Sequence, residues 1–271
     1  MNRFAEGKKK GILRSLSAVV ETEITKAYRS PMFWITIIGM IFIPMMFGLM
    51  MFIKKYPELA QSSLFLSKAK MIEGDSSWQT YFGLFSQMIS GAGMVVFGFA
   101  ASWIFGREYS DRTIKDLLAL PVPRQVMVAG KLIVLSAWSA VLFMIGTITA
   151  IILGLLLELS GWSQSYLVRC AGVFSISILL DVGLCMVTAF IACWARGYLA
   201  PVGFVFVTMI LANFFSMLGY GTVYPWGIPM MYAMKGTEGV AVPFYSIVIV
   251  AVTSALGLAV LLLWWRYADQ N

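Results

Sequence analysis

Histidine is missing from all 271 residues. That absence removes His-ligated zinc, HExxH metalloproteases, Ser-His-Asp triads and His-held haem together. Charge is scarce as well: Asp, Glu, Lys and Arg make up 12% of the chain, against roughly 25% in soluble domains. With 60% hydrophobic residues and a mean hydropathy of +0.83, the chain has more apolar surface than one water-soluble core could bury. Intrinsic disorder is excluded by the same figures. Cysteine is limited to Cys170, Cys185 and Cys193, an odd number without CxxC spacing, so packing rather than a disulfide framework is expected. A phosphate-binding loop is absent too. The Gly-Lys pairs are Gly7-Lys8 and Gly130-Lys131, and Gln125 and Leu132 stand where GxxxxGK[ST] would need Gly and Ser or Thr around the second.

What the chain has is long apolar runs. A helix needs about 20 apolar residues to cross a bilayer core, and six runs reach that length: 32–53, 82–105, 131–157, 167–194, 198–218 and 244–265. The fold class expected is therefore an all-α integral membrane protein of six transmembrane helices, with residues 1–271 forming one domain. Pro31 opens the first span where its missing N–H costs nothing. Pro44 inside that span predicts a kink. Trp34, Trp103, Trp264 and Trp265 fall at run ends, as interface belts require.

The net charge of +7 would suggest nucleic acid in a soluble protein. Here its distribution speaks for topology and lipid, and no nucleic-acid partner is expected. With the N-terminus inside, 14 of the 20 basic residues fall on the cytoplasmic side. Lys54, Lys55, Lys68, Lys70, Arg169 and Lys235 fall outside. The split puts both termini in the cytoplasm of a bacterial plasma membrane. The first 30 residues are too long and too charged for a cleaved signal peptide, so no processing is expected. Within them, Ile12, Leu13, Leu16, Val19, Val20, Ile24, Ala27 and Tyr28 recur at helical spacing, with Arg14, Glu21, Glu23, Lys26 and Arg29 elsewhere on the wheel. Residues 11–30 thus read as an amphipathic interfacial helix, either an anchor or an elbow packed on the bundle.

Between the second and third runs, GREYSDRTIKDLLALPVPR (106–124) is polar yet holds a short helix signal. Thr113 and Asp116 have capping-box spacing. Ile114, Leu117 and Leu118 give one apolar face, and Pro121 and Pro123 stop the helix. Two turns are not stable alone in water, so the stripe must dock on this chain or on a partner.

This segment resembles the cytoplasmic coupling region of ABC-2 type permeases, the membrane subunits of bacterial ATP-binding-cassette exporters. The resemblance rests on Glu108, Tyr109, Ser110, Asp111, Arg112, Thr113 and Ile114, followed by Leu117, Leu118, Pro121 and Arg124. Arg112 stands where the family often has glycine. The run Glu23, Lys26, Arg29, Ser30, Pro31, Phe33 resembles the family's approach to its first span. The resemblance implies that Glu108, Tyr109, Asp111, Thr113, Ile114, Leu117, Leu118 and Pro121 couple the spans to a separate ATP-binding-cassette ATPase. ATP and magnesium would be bound by that partner, and no cofactor or metal by this chain. It also implies a second permease, identical or related, because six spans are half of the usual transporter core.

Asp181 lies near the middle of the fourth run, where a charge costs about 2.5–3.5 kcal/mol on insertion scales. It reads as a residue on the substrate path or as a structural polar contact. Ser86, Ser90, Gly91, Gly93, Gly98 and Ser102 form a small-residue surface suited to a dimer seam or to packing inside one bundle. The connection 219–243 mixes Gly and Pro with Tyr224, Trp226, Ile228 and Tyr232. Short helices dipping into the outer leaflet are expected there, with Trp226 guiding an amphipathic substrate. The function expected is the permease half of an exporter for a peptide, lipid or drug, with no enzymatic activity of its own. The alternative is an ion-gradient-driven transporter using Asp181, but that class normally carries several mid-membrane ionisable residues.

Overall fold

The computed structural model describes residues 2–56 and 74–267, with backbone only for residues 2–10 and Leu118. Lys68 and Lys70, counted above toward the outer side, lie outside the described residues, as do the side chains of Arg3, Lys8, Lys9 and Lys10. Nine helices make up the described fold. They are α1 (Asn2–Tyr28), α2 (Pro31–Lys55), α3 (Trp78–Ser110), α4 (Ile114–Leu118), α5 (Arg124–Leu156), α6 (Gln164–Trp194), α7 (Leu199–Met217), α8 (Ile228–Glu238) and α9 (Phe244–Tyr267). Six of them, α2, α3, α5, α6, α7 and α9, are long and apolar enough to cross a membrane.

Burial separates these six into two groups. The apolar windows of α3 and α6 are 61% and 56% buried, whereas the other four are buried over a third or less. So α3 and α6 form the centre. α9, α8 and α7 pack on them, and α2 and α5 pair on the side where α1 lies along α5. Ile38, Phe42, Leu179, Leu199 and Leu211 face outward, which in this chain is a lipid-facing surface. Aromatic rings fill one end of the core, with Phe82 and Phe174 stacked at 6.0 Å and Phe85 edge-on to Phe174 at 5.5 Å.

Local chemistry explains the helix ends. Ser30 caps α2, its hydroxyl accepting the Met32 N–H at 3.0 Å. α2 continues through Pro44, whose carbonyl accepts the Tyr81 hydroxyl at 3.3 Å. The last carbonyls of α3, α5 and α6 are closed by paired bonds in which Arg112, Glu158 and Arg196 take left-handed φ of 58°, 47° and 53°. Glycine is the usual residue at that position, so three charged side chains occupy strained backbone here.

Three of the expected span boundaries move by four residues or more, one of them the start of α3, at Trp78 rather than 82. α3 runs to Ser110 and α5 starts at Arg124, because charges read as span limits are neutralised inside the bundle. The small-residue surface of α3 is taken up within the chain: Ser86, Ser90, Gly93, Gly98 and Ser102 are buried, with Val205 of α7 against Gly98 and Met230 of α8 against Gly91. The three cysteines are buried and unpaired.

Candidate functional site

The sequence stretch 106–124 splits between two environments. Its first part is the last turn of α3, where Glu108 and Tyr109 are buried. The Thr113 N–H bonds the Glu108 carbonyl at 2.9 Å and the Arg112 N–H bonds that of Tyr109 at 3.2 Å, so the α3 end and the turn into α4 are one unit. Arg112 itself supplies the left-handed residue for which the family often uses glycine. The capping box expected of Thr113 and Asp116 is not formed. Thr113 has φ −92° and ψ 1°, not the extended shape of a capping residue, and its side chain makes no cap bond. Only Asp111, Arg112 and Thr113 separate α3 from α4, so the conformation of Thr113 is set by the closing turn of α3.

α4 docks on its own chain. Ile114 joins the main core, and Leu117 and Val122 pack against it. Asp111, Thr113, Lys115, Asp116 and Pro121 are exposed, while the side chain of Leu118 lies outside the described ones. The stretch therefore shows the surroundings a charged edge and keeps Ile114 and most of Leu117 inside. Arg124, from the same stretch, donates to the Trp265 carbonyl at 3.2 Å and so ties the end of α9 to the start of α5. Gly106 lets α3 approach the α6–α7 turn: a Cβ there would stand 2.7 Å from the Gly197 backbone.

Behind this edge lies a buried charge quartet from three helices. Lys131 of α5, 1% exposed, donates to both oxygens of Glu108 at 2.7 Å, to Glu23 of α1 at 3.2 Å and to the Ile104 carbonyl at 3.0 Å. Lys26 of α1 donates to Glu23 at 2.8 Å and to Glu108 at 3.2 Å. Two ammonium groups thus face two carboxylates, and the three donors of Lys131 are all used. Burial by itself raises the Glu23 carboxyl, but Lys131 and Lys26 outweigh it and hold the group below the usual carboxylate range. Glu23 and Lys26 are expected away from the apolar positions of α1. The structure turns Glu23 inward and makes Lys131 the centre of the quartet. The available signal was Lys131, a charge inside the third apolar run with no acid within a helical turn of it.

At mid-span, Asp181 is fully buried and neither carboxyl oxygen has a hydrogen-bond partner among the described residues. A cavity of about 10 Å³ lies beside it, and Trp226, Thr188, Thr208 and Cys185 share its wall. Asp181 and Trp226, chosen separately from the sequence, meet at this cavity. Trp226 is also edge-on to Phe204 of α7 at 5.5 Å.

The profile of the ABC-2 family transporter proteins matches residues 19–213, from the second half of α1 to the end of α7. The chain belongs to that family. As an ABC-2 permease it is the membrane subunit of an ABC transporter, a multi-pass membrane protein working with a separate ABC ATPase, which agrees with the missing phosphate-binding loop. The permease is 28% identical over 181 residues to the bacitracin transport permease protein BCRB of Bacillus licheniformis, covering 65% of this chain and 85% of that protein. No solved structure matches it. The matched region includes Glu23, Glu108, Lys131 and Asp181 and stops short of Trp226.

Proposed function

We propose that this permease exports an amphipathic molecule, a peptide, lipid or drug, and that a separate ATPase drives it by pushing on the α3–α4 turn. The observation carrying this reading is the direct link between surface and interior at Glu108. Its carbonyl closes the turn that presents Asp111, Thr113 and Pro121, and its carboxylate grips Lys131 and Lys26. A displacement of the charged edge cannot leave α1 and α5 in place without breaking buried ion pairs. In this reading Asp111, Thr113 and Pro121 meet the ATPase, and Glu108, Tyr109, Ile114, Leu117 and Leu118 carry the movement inward. Asp181 and Trp226 line the path, both termini are cytoplasmic, residues 1–271 form one permease domain, and a second permease completes the pore. The name of the B. licheniformis relative makes bacitracin the first substrate to try.

The test uses the tagged chain purified from its native membrane in mild detergent. A stoichiometric ATPase should co-purify, and Asp111→Lys combined with Lys115→Glu should release it with the fold intact. Glu108→Ala should leave the ATPase bound but uncouple hydrolysis from transport. Co-purification unaffected by the surface pair, or no ATPase at all, overturns the reading. A growth assay with and without bacitracin then asks whether the complex confers resistance.

A further inference from the structure

A second cavity, of about 320 Å³, opens at the same end of the bundle between α2, α3 and α7. That volume lies in the range of small-molecule sites, roughly 300–1,000 Å³. We propose that it seats the headgroup of one zwitterionic phospholipid, with the phosphate on Arg107, the ammonium on Asp111, and the acyl chains leaving along the apolar wall toward the bilayer. This site stands whether or not the permease exports amphiphiles.

Arg107 lies in the last turn of α3 and Asp111, four residues on, is the residue that ends it, so the two share one face. Both line the cavity, and neither has an ion-pair partner among the described residues. Pairing with each other would contribute little, because the acid lies C-terminal to the base, the weaker order on a helix. The guanidinium of Arg107 instead lies over the Trp103 ring at 4.5 Å, and its buried Nε has no acceptor among the described residues. A buried donor left unpaired costs about 1–3 kcal/mol, a cost that a phosphate oxygen would remove. Phosphate also suits the fork of donors that guanidinium presents.

Polarity along the cavity matches the rest of such a lipid. From Asp111 to Phe99 on α3 is twelve residues, about 18 Å at the helical rise. Ser30, Tyr198 and the two charges line the mouth, and Ile35, Phe99 and Val202 line the deep end. Ile35 is 57% exposed on the outward face of α2, so the cavity is open sideways toward the lipid. Tyr198 at the rim is suited to headgroup depth. A soluble phosphate ester would satisfy Arg107 but would leave the deep wall uncovered. Asp111 also stands in the stretch assigned to the ATPase contact, so lipid and ATPase share this carboxylate.

The test places the full chain in phosphatidylglycerol nanodiscs with a trace of photoreactive phosphatidylethanolamine and maps the labelled peptides. Labelling should concentrate on the peptides bearing Ile35 and Val202. It should fall at least fivefold in Arg107→Gln, and equally in Val202→Trp, which fills the apolar wall without touching charge. Unlabelled phosphatidylethanolamine should compete while soluble glycerophosphoethanolamine should not, and phosphatidylglycerol carrying the same photoreactive group should label at least fivefold less. Labelling unchanged in Val202→Trp overturns the proposal, even if Arg107→Gln fails to fold. Equal labelling by the photoreactive phosphatidylglycerol overturns the role of Asp111, and equal competition by the soluble ester overturns the lipid.

Discussion

Among the described residues the charge of Lys131 is balanced by two carboxylates, Glu23 and Glu108, and that makes its removal informative. A buried ion pair contributes little net stability, but breaking one leaves an uncompensated charge and costs about 3–5 kcal/mol. Lys131→Met strands Glu23 and Glu108, 4% and 2% exposed, with Lys26 alone between them. We expect a loss of that order in thermal unfolding in detergent. Lys131→Met combined with Glu108→Gln should recover most of it, since one positive and one negative charge then go together. Equal melting of the single variant and the wild type would mean that these groups are solvated. Arg112 gives a prediction of the opposite sign. Its φ of 58° costs roughly 1–2 kcal/mol for a non-glycine residue, and glycine gives back roughly 0.5–1 kcal/mol in chain entropy. Arg112→Gly should therefore stabilise by about 0.5–1 kcal/mol, and Arg112→Val should destabilise. Melting temperatures of the two variants check both signs.

Helix α1 shows what a sequence pattern can and cannot deliver. Its helical period was legible, but the period alone did not say which part of a broad apolar face meets protein. Leu16, Val19, Val20 and Ala27 turn inward with Glu23, while Ile12, Leu13, Ile24 and Tyr28 stay exposed. Gly130 sets the approach of α1 to α5, because a Cβ there would meet Val19 at 2.5 Å. Gly130→Leu should lift α1 off the bundle, seen as faster amide exchange over 11–28 with α3 and α6 unchanged. Acid should do the same. Folding lowers the Glu23 carboxyl below its ordinary value of 4.5, so the native state gains stability above that value and loses it as pH falls through the lower folded value. Protection of the α1 amides, taken against the intrinsic exchange rate at each pH, should fall below about pH 4.5, and Glu23→Gln should flatten that dependence. A pH profile shared by both proteins would assign the effect to other groups. The displaced ends of α3 and α5 have the same origin. Hydropathy treats Glu108 and Lys131 as two boundary charges, and nothing local reports that they neutralise each other across 23 residues of sequence.

For the molecule as a whole, the six spans were legible because their apolar runs far exceed what a soluble helix needs, and the family followed from the order of motifs around them. The cavities were not legible, since their walls come from helices far apart in sequence. Asp181 lies between these cases: a carboxyl at mid-span is conspicuous in any apolar run, but its meeting with Trp226 required the fold. Both oxygens of this buried side chain lack partners among the described residues, a state that stability alone does not favour. Such features persist where function requires them. Asp181→Leu fills the same space without a buried unpaired polar group, so it should raise stability by about 1–2 kcal/mol while transport by the complex falls at least tenfold. The ATPase should still bind, because its proposed contact lies at the α3–α4 turn. Thermal unfolding, co-purification and transport on the same variant separate the outcomes. Higher stability with lost transport assigns Asp181 to the substrate path. Lower stability with transport lost in proportion would make it a structural contact, and would leave Trp226 alone on the path.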